Sequence, residues 1–186
     1  MPLTKLDDHA ALIVIDLQKG IAGSPAVHPM GEIIGRVAQL ARAFRDRGLP
    51  VVLVNVTGAA PGRTNTERPK LASLPADWTE LVPELEQQPG DHPVSKQRWG
   101  AFIGTPLDAY LRERGVTQVF VTGVATSIGV ESTARSAYDY GYHVVLVVDA
   151  MTDRDADSHR HSVENIFPRL GETDTTASVL KLLEQT

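Results

Sequence analysis

The chain alternates short apolar runs with amphipathic stretches. Residues 10–15 form an uninterrupted apolar run that ends at Asp16. The run is short and rich in β-branched residues, as a strand buried on both faces is. Ile33, Ile34, Val37, Leu40, Ala41 and Phe44 then recur at helical spacing, and Gly48 stops that helix. Residues 51–56 read as a second strand, 118–122 as a third and 143–148 as a fourth, the last ending at Asp149. Helices are expected at 107–114, closed by Gly115, at 130–140, and at 158–167 before Pro168. A last helix is expected over 175–184, with Asp174 or Thr175 as its cap, and a short strand near 171–173. Residues 57–92 are rich in Pro, Gly and polar side chains and read as a long surface excursion. Excursions of that length are usually functional or contain short helices.

Strand-helix alternation of this kind implies an α/β fold with a parallel sheet covered on both faces. Ligands of such sheets sit beyond the carboxyl ends of the strands. Asp16, Asn55, the 123–129 loop and Asp149 all fall there. The 186 residues are consistent with one domain spanning 1–186 and a full core.

Composition narrows the function. A formal net charge of −5 disfavours non-specific binding to nucleic acid or to acidic membranes. No run approaches the ~18 apolar residues of a membrane-spanning helix, and residues 1–8 lack a signal-peptide hydrophobic region, so a cytoplasmic location is expected. The chain has no cysteine, which excludes disulfides, thiolate metal sites and thiol nucleophiles together. No Gly-x-Gly-x-x-Gly follows the first strand, which argues against a dinucleotide fold site.

Four places could carry chemistry. Asp16 is either a local capping carboxylate or a rigidly held acid/base at the sheet edge. Gln18, two residues on, is a candidate contact to ligand. Lys96 lies before Trp99 and Phe102, surroundings that suggest partial burial, and a partly buried lysine needs a carboxylate partner, for which Asp16 is the obvious choice. The 123–129 loop places Gly123 and Gly129 about a strand-to-helix turn. Such a turn either needs glycine for steric reasons or presents backbone N–H groups to developing negative charge.

Read together, residues 13–18, 96–102 and 122–134 resemble the isochorismatase-like hydrolase superfamily, as do Gly141-Tyr142-His143 and Asp149-Ala150. The resemblance covers nearly the whole chain in order and is poorest over 57–92. It implies a three-layer, Rossmann-like, mostly parallel sheet of about six strands with helices on both faces. In most of that family an Asp, a Lys and a Cys form the site. Asp16 and Lys96 match the first two, but Gly129 stands where the cysteine would be, so a thiol acyl-enzyme cannot form. The resemblance also places the oxyanion-binding N–H groups at Ala125 and Gly129, and a cis peptide bond between Val124 and Ala125. Some members, the true isochorismatases, also carry glycine here and hydrolyse a vinyl ether without a covalent intermediate, with the Asp as general acid.

These considerations give a working site. Asp16, Lys96 and Gly129 form the catalytic set, and Gln18, Asn55, Trp99, Phe102, Ala125 through its N–H, and Ser127 contact the substrate. Arg63, Arg68 and Arg98 are candidates for binding carboxylates. The histidine and aspartate positions of the family's metal site are missing, since no histidine lies between His28 and His92. Asp153, Asp155, Asp157, His159 and His161 read better as a capped surface helix than as a metal site. Ser127 or Ser132 would need a base to replace the thiol, and none is evident. The expectation is a cofactor-free hydrolase of a small polar or anionic molecule, with no nucleic-acid or membrane partner, forming a homo-oligomer (dimer or tetramer) as many relatives do. The alternative is a catalytically silent member that binds a metabolite or a protein.

Overall fold

In the computed structural model, which describes residues 3–66 and 73–185, the strands form one six-stranded sheet. The strands are β1 (Ala10–Ile15), β2 (Val51–Val56), β3 (His92–Lys96), β4 (Gln118–Val124), β5 (His143–Thr152) and β6 (Glu172–Asp174). Their order is β3-β2-β1-β4-β5-β6, and every pairing is parallel. β1 is central and fully buried, which explains its lack of polar alternation.

The two faces are covered separately. On one, α1 (Met30–Asp46) and a C-terminal helix, Thr176–Gln185, pack against Ala10, Leu12 and Val14. On the other, α2 (Leu107–Glu113) and α3 (Glu131–Asp139) pack against Ala11, Ile13 and Ile15. The alternation of β1 side chains between the two layers is that of any strand. The helix α4 (Ala156–His161) continues through Ser162–Ile166 and Phe167–Leu170, and Phe167 reaches the second core; Thr176–Gln185 is α5.

The departures from the expected elements are two strand ends and one whole strand. β4 runs on to Val124 and β5 to Thr152, past the apolar runs that announce them. β3 has no counterpart in the hydrophobic pattern. It is an edge strand with only Val94 and Lys96 buried, and Pro93 is tolerated because one side has no ladder to complete. This strand brings Lys96 to the sheet.

The order of the strands reverses between β1 and β4, since the chain moves outward to β2 and β3 and then returns. The crevice of such a sheet opens at that reversal. Asp16 follows β1, and the 125–130 turn follows β4, on its two sides.

Candidate active site

Asp16 takes a left-handed backbone conformation, with φ of 53°, directly after β1, while its N–H still donates to Val54 O of β2. The chain therefore stays locked to the sheet up to the residue that leaves it. Lys96 closes β3. Its Nζ donates to Asp16 Oδ2 at 2.7 Å and to Arg98 O at 3.2 Å. Both side chains are buried. Burial pushes the Asp16 carboxyl up to about 6, against the downward pull of the Lys96 charge and hydrogen bond. Asp16 Oδ1 is buried too and has no hydrogen-bond partner among the described residues.

Gly129 lies in the wide turn Thr126–Val130 that opens α3. A Cβ at this position would fall 2.9 Å from Ile15 Cγ2, 3.3 Å from Asp16 Oδ2 and 3.3 Å from Val124 O. The first contact is closer than real Cβ atoms come, and the methyl it meets belongs to a stiff β-branched side chain. Position 129 therefore lies against the Asp16 carboxyl but leaves no room for a side chain. Gly123, with φ of 110°, serves a different need: a Cβ there would lie 2.1 Å from Ile15 O, so β4 could not approach β1. The Val124–Ala125 bond is cis, and the Ala125 carbonyl accepts the N–H groups of Ile128 and Val130.

A cavity of about 570 Å³ opens onto Asp16 and Lys96. Its walls include Val56, Ala59, Trp99 and Ile128, with Thr64 and Arg98 among its polar contributors. Trp99 lines it while remaining 66% exposed.

Several expected contacts are arranged otherwise. Gln18 is fully buried, and its amide is engaged by backbone: Nε2 donates to Val56 O and Trp78 O, and Oε1 accepts from Val56 N–H. It straps the 78–81 segment to β2 instead of facing a ligand. Asn55 pairs in register with Ser95, and Val56 with Lys96, so Asn55 lies on the opposite face from the cavity. Its amide donates to Thr79 O and accepts from Ser95 Oγ. Phe102 is buried beside Tyr140 and Tyr142 in the α2/α3 core and does not line the cavity. Ser127 turns away and binds Asp153 through both its N–H and its Oγ.

Of the candidate arginines, Arg98 lines the cavity, Arg63 is exposed, and Arg68 lies outside the described residues. Asp155 caps α4 through Ser158 N–H, and Asp157 pairs with Arg160. Among the described residues no group of three or more His, Asp or Glu side chains is placed to hold a metal ion. The cavity walls after β2 come from the start of the 57–92 excursion, whose place at a strand's carboxyl end marks it, though no single residue there stands out in the sequence. Asp153, expected in a capped surface helix with Asp155 and Asp157, instead lies before that helix, buried against Ser127.

Against known proteins, residues 10–178 match the isochorismatase domain. The chain belongs to the isochorismatase family. This isochorismatase-family protein is 40% identical over 177 residues to the uncharacterized isochorismatase family protein YwoC of Bacillus subtilis, covering 92% of each chain. It is 33% identical over 186 residues to the ureidoacrylate amidohydrolase RutB of Methylobacterium radiotolerans, covering 83% of this chain and 72% of that one. An isochorismatase family protein of Burkholderia thailandensis superposes with a TM-score of 0.91 at 42% identity, over 96% of this chain and 97% of that one.

Proposed function

We propose that this protein is a hydrolase that works without a covalent intermediate, with Asp16 as its general acid. The observation that carries the reading is the state of Asp16. It is a buried carboxyl, raised to about 6, that touches both Lys96 and the vacant side-chain position of Gly129. A proton donor needs a pKa near the working pH. Because Oδ2 accepts from Lys96, Oδ1 is the oxygen free to carry the proton.

The reaction that suits these groups is hydrolysis of a vinyl ether or a related bond. Asp16 gives its proton to the terminal carbon of the double bond, and an oxocarbenium ion forms. Water adds to that ion's carbon, and the resulting hemiketal separates into an alcohol and a carbonyl compound while a proton returns to Asp16. Lys96 favours the step by stabilising the carboxylate left behind. No nucleophile on the protein is required, in keeping with a chain that has no cysteine. The substrate is a small molecule, held in a cavity with a largely apolar lining and the acid at its base. Homo-oligomerisation and a cytoplasmic location belong to the same proposal.

The test is a hydrolase screen with vinyl ethers, amides and esters on the wild type and on Asp16→Asn. Turnover of a vinyl ether that Asp16→Asn abolishes is the expected result. Turnover that survives this substitution overturns the assignment of Asp16, and turnover of amides alone overturns the reaction class. Silence toward every class favours a binding role instead.

A further inference from the structure

Asp153 closes the far side of the turn that carries Gly129. It directly follows the extended strand β5, one residue past Thr152, and is only 3% exposed. Its Oδ2 accepts both the backbone N–H and the Oγ of Ser127, each at 2.7 Å. Its Oδ1 accepts the N–H of Arg154, also at 2.7 Å. All three donors are short and aimed at one buried carboxyl, the arrangement in which a hydrogen bond is strongest.

We propose that Asp153 is a positioning residue that fixes the 125–130 turn, and through it the place of Gly129 against Asp16. The inference rests on the reading of Asp16 given above for its kinetic consequence. The turn has two further anchors. Thr126 Oγ1 meets His159 Nδ1 at 2.8 Å, and the Gly129 carbonyl accepts from Thr133 Oγ1 at 2.7 Å. Asp153 is the one that holds a backbone N–H at the start of the turn, where no helical partner exists for it. The spacing it protects is tight, since Gly129 leaves no room for a side chain between itself and Ile15.

The N–H of Ser127 is engaged by the protein's own carboxyl and is closed to substrate. A negative charge there also offsets the positive end of the helix that follows.

The experiment compares Asp153→Ala, Asp153→Asn, Ser127→Ala and the double variant Asp153→Ala with Ser127→Ala. Backbone hydrogen exchange is followed across the turn and across β1, and steady-state kinetics use whichever vinyl ether the screen identifies. In Asp153→Ala, exchange at Ser127 should quicken more than about tenfold while β1 stays protected, as for local opening. Turnover should fall about 10- to 100-fold in kcat with KM within about twofold, the pattern of a misplaced site. Asp153→Asn should recover part of the loss, and the double variant should be no worse than Asp153→Ala.

Unchanged exchange at Ser127, a loss confined to KM, or additive effects of the two substitutions would overturn the proposal. Should Asp153→Ala not fold, Asp153→Asn and Ser127→Ala carry the same comparison. The exchange measurement needs no substrate, so it decides the role of Asp153 even where the hydrolase reading fails.

Discussion

Lys96 Nζ sits 2.7 Å from Asp16 Oδ2, with the lysine 2% and the aspartate 5% exposed. β2 separates their strands, so the lysine's long stem crosses a neighbouring strand to reach the carboxyl. Removing one partner of such a pair leaves a buried group without compensation. Asp16→Asn leaves the Lys96 ammonium unpaired, a loss of roughly 3–5 kcal/mol by itself, which the neutral amide offsets in part by relieving the burial cost that raises the Asp16 value. Lys96→Met should cost less, because Asp16 can neutralise itself by taking up a proton. The double variant should recover most of the loss of Asp16→Asn. Urea unfolding of the three proteins checks the order.

The pH dependence follows from the direction of the Asp16 shift. Its folded value of about 6 lies above the usual 3.8, so folding favours the protonated form. The stabilising contribution is fully present below 3.8 and is lost as pH rises through about 6. An acid catalyst acts in the same form, so kcat/KM should fall with rising pH above about 6. Lys96→Met removes the charge that holds the value down, and the falling limb should move to higher pH. A pH–rate profile that rises through this range would instead assign Asp16 as a base.

Restoring the thiol should not restore thiol chemistry. A cysteine at 129 brings its Cβ against Ile15 Cγ2, and the overpacking should cost about 1–3 kcal/mol. Gly129→Ala should show the same loss without any change of chemistry. Denaturant midpoints of the two variants, with an amidase assay of Gly129→Cys that reads no activity, check this.

Gln18 should behave as a structural residue. Gln18→Leu strips the partners from Val56 N–H and from two backbone carbonyls, and should cost about 1–3 kcal/mol. Thermal unfolding should show the loss. A change in KM without a change in stability would return Gln18 to the list of ligand contacts.

His159 offers a probe of the turn. Burial and the neighbouring His28 hold its pKa below the usual 6.5, while Asp153 works in the opposite direction. Asp153→Asn removes that support, so the His159 value should fall further. Titration of its ring protons by NMR checks the sign.

The sheet was legible wherever a strand is buried on both faces. β1, β2 and the apolar starts of β4 and β5 announce themselves by unbroken β-branched runs. β3 was not legible, because an edge strand with two buried residues leaves no such run. That one omission also explains the placing of Asn55. Which face a residue at the end of β2 takes becomes clear only once its register with Ser95 and Lys96 is known. Asp16 and Lys96 could be paired from sequence because a buried cation demands a counter-ion. Gln18 and Ser127 could not be read from sequence, because their partners are backbone atoms and a carboxyl far along the chain.

The methyl of Ile15 beside Gly129 also bears on how this chain can change over generations. A single substitution would place a nucleophile there but meet the methyl of Ile15. Room for it needs a second change at position 15, and that change alone opens a void in the centre of the sheet, since Ile15 is fully buried. Either order of steps passes through a weakened protein. The space at position 129 thus works as a barrier: with the core packed as it is, a step toward a thiol at this place runs uphill.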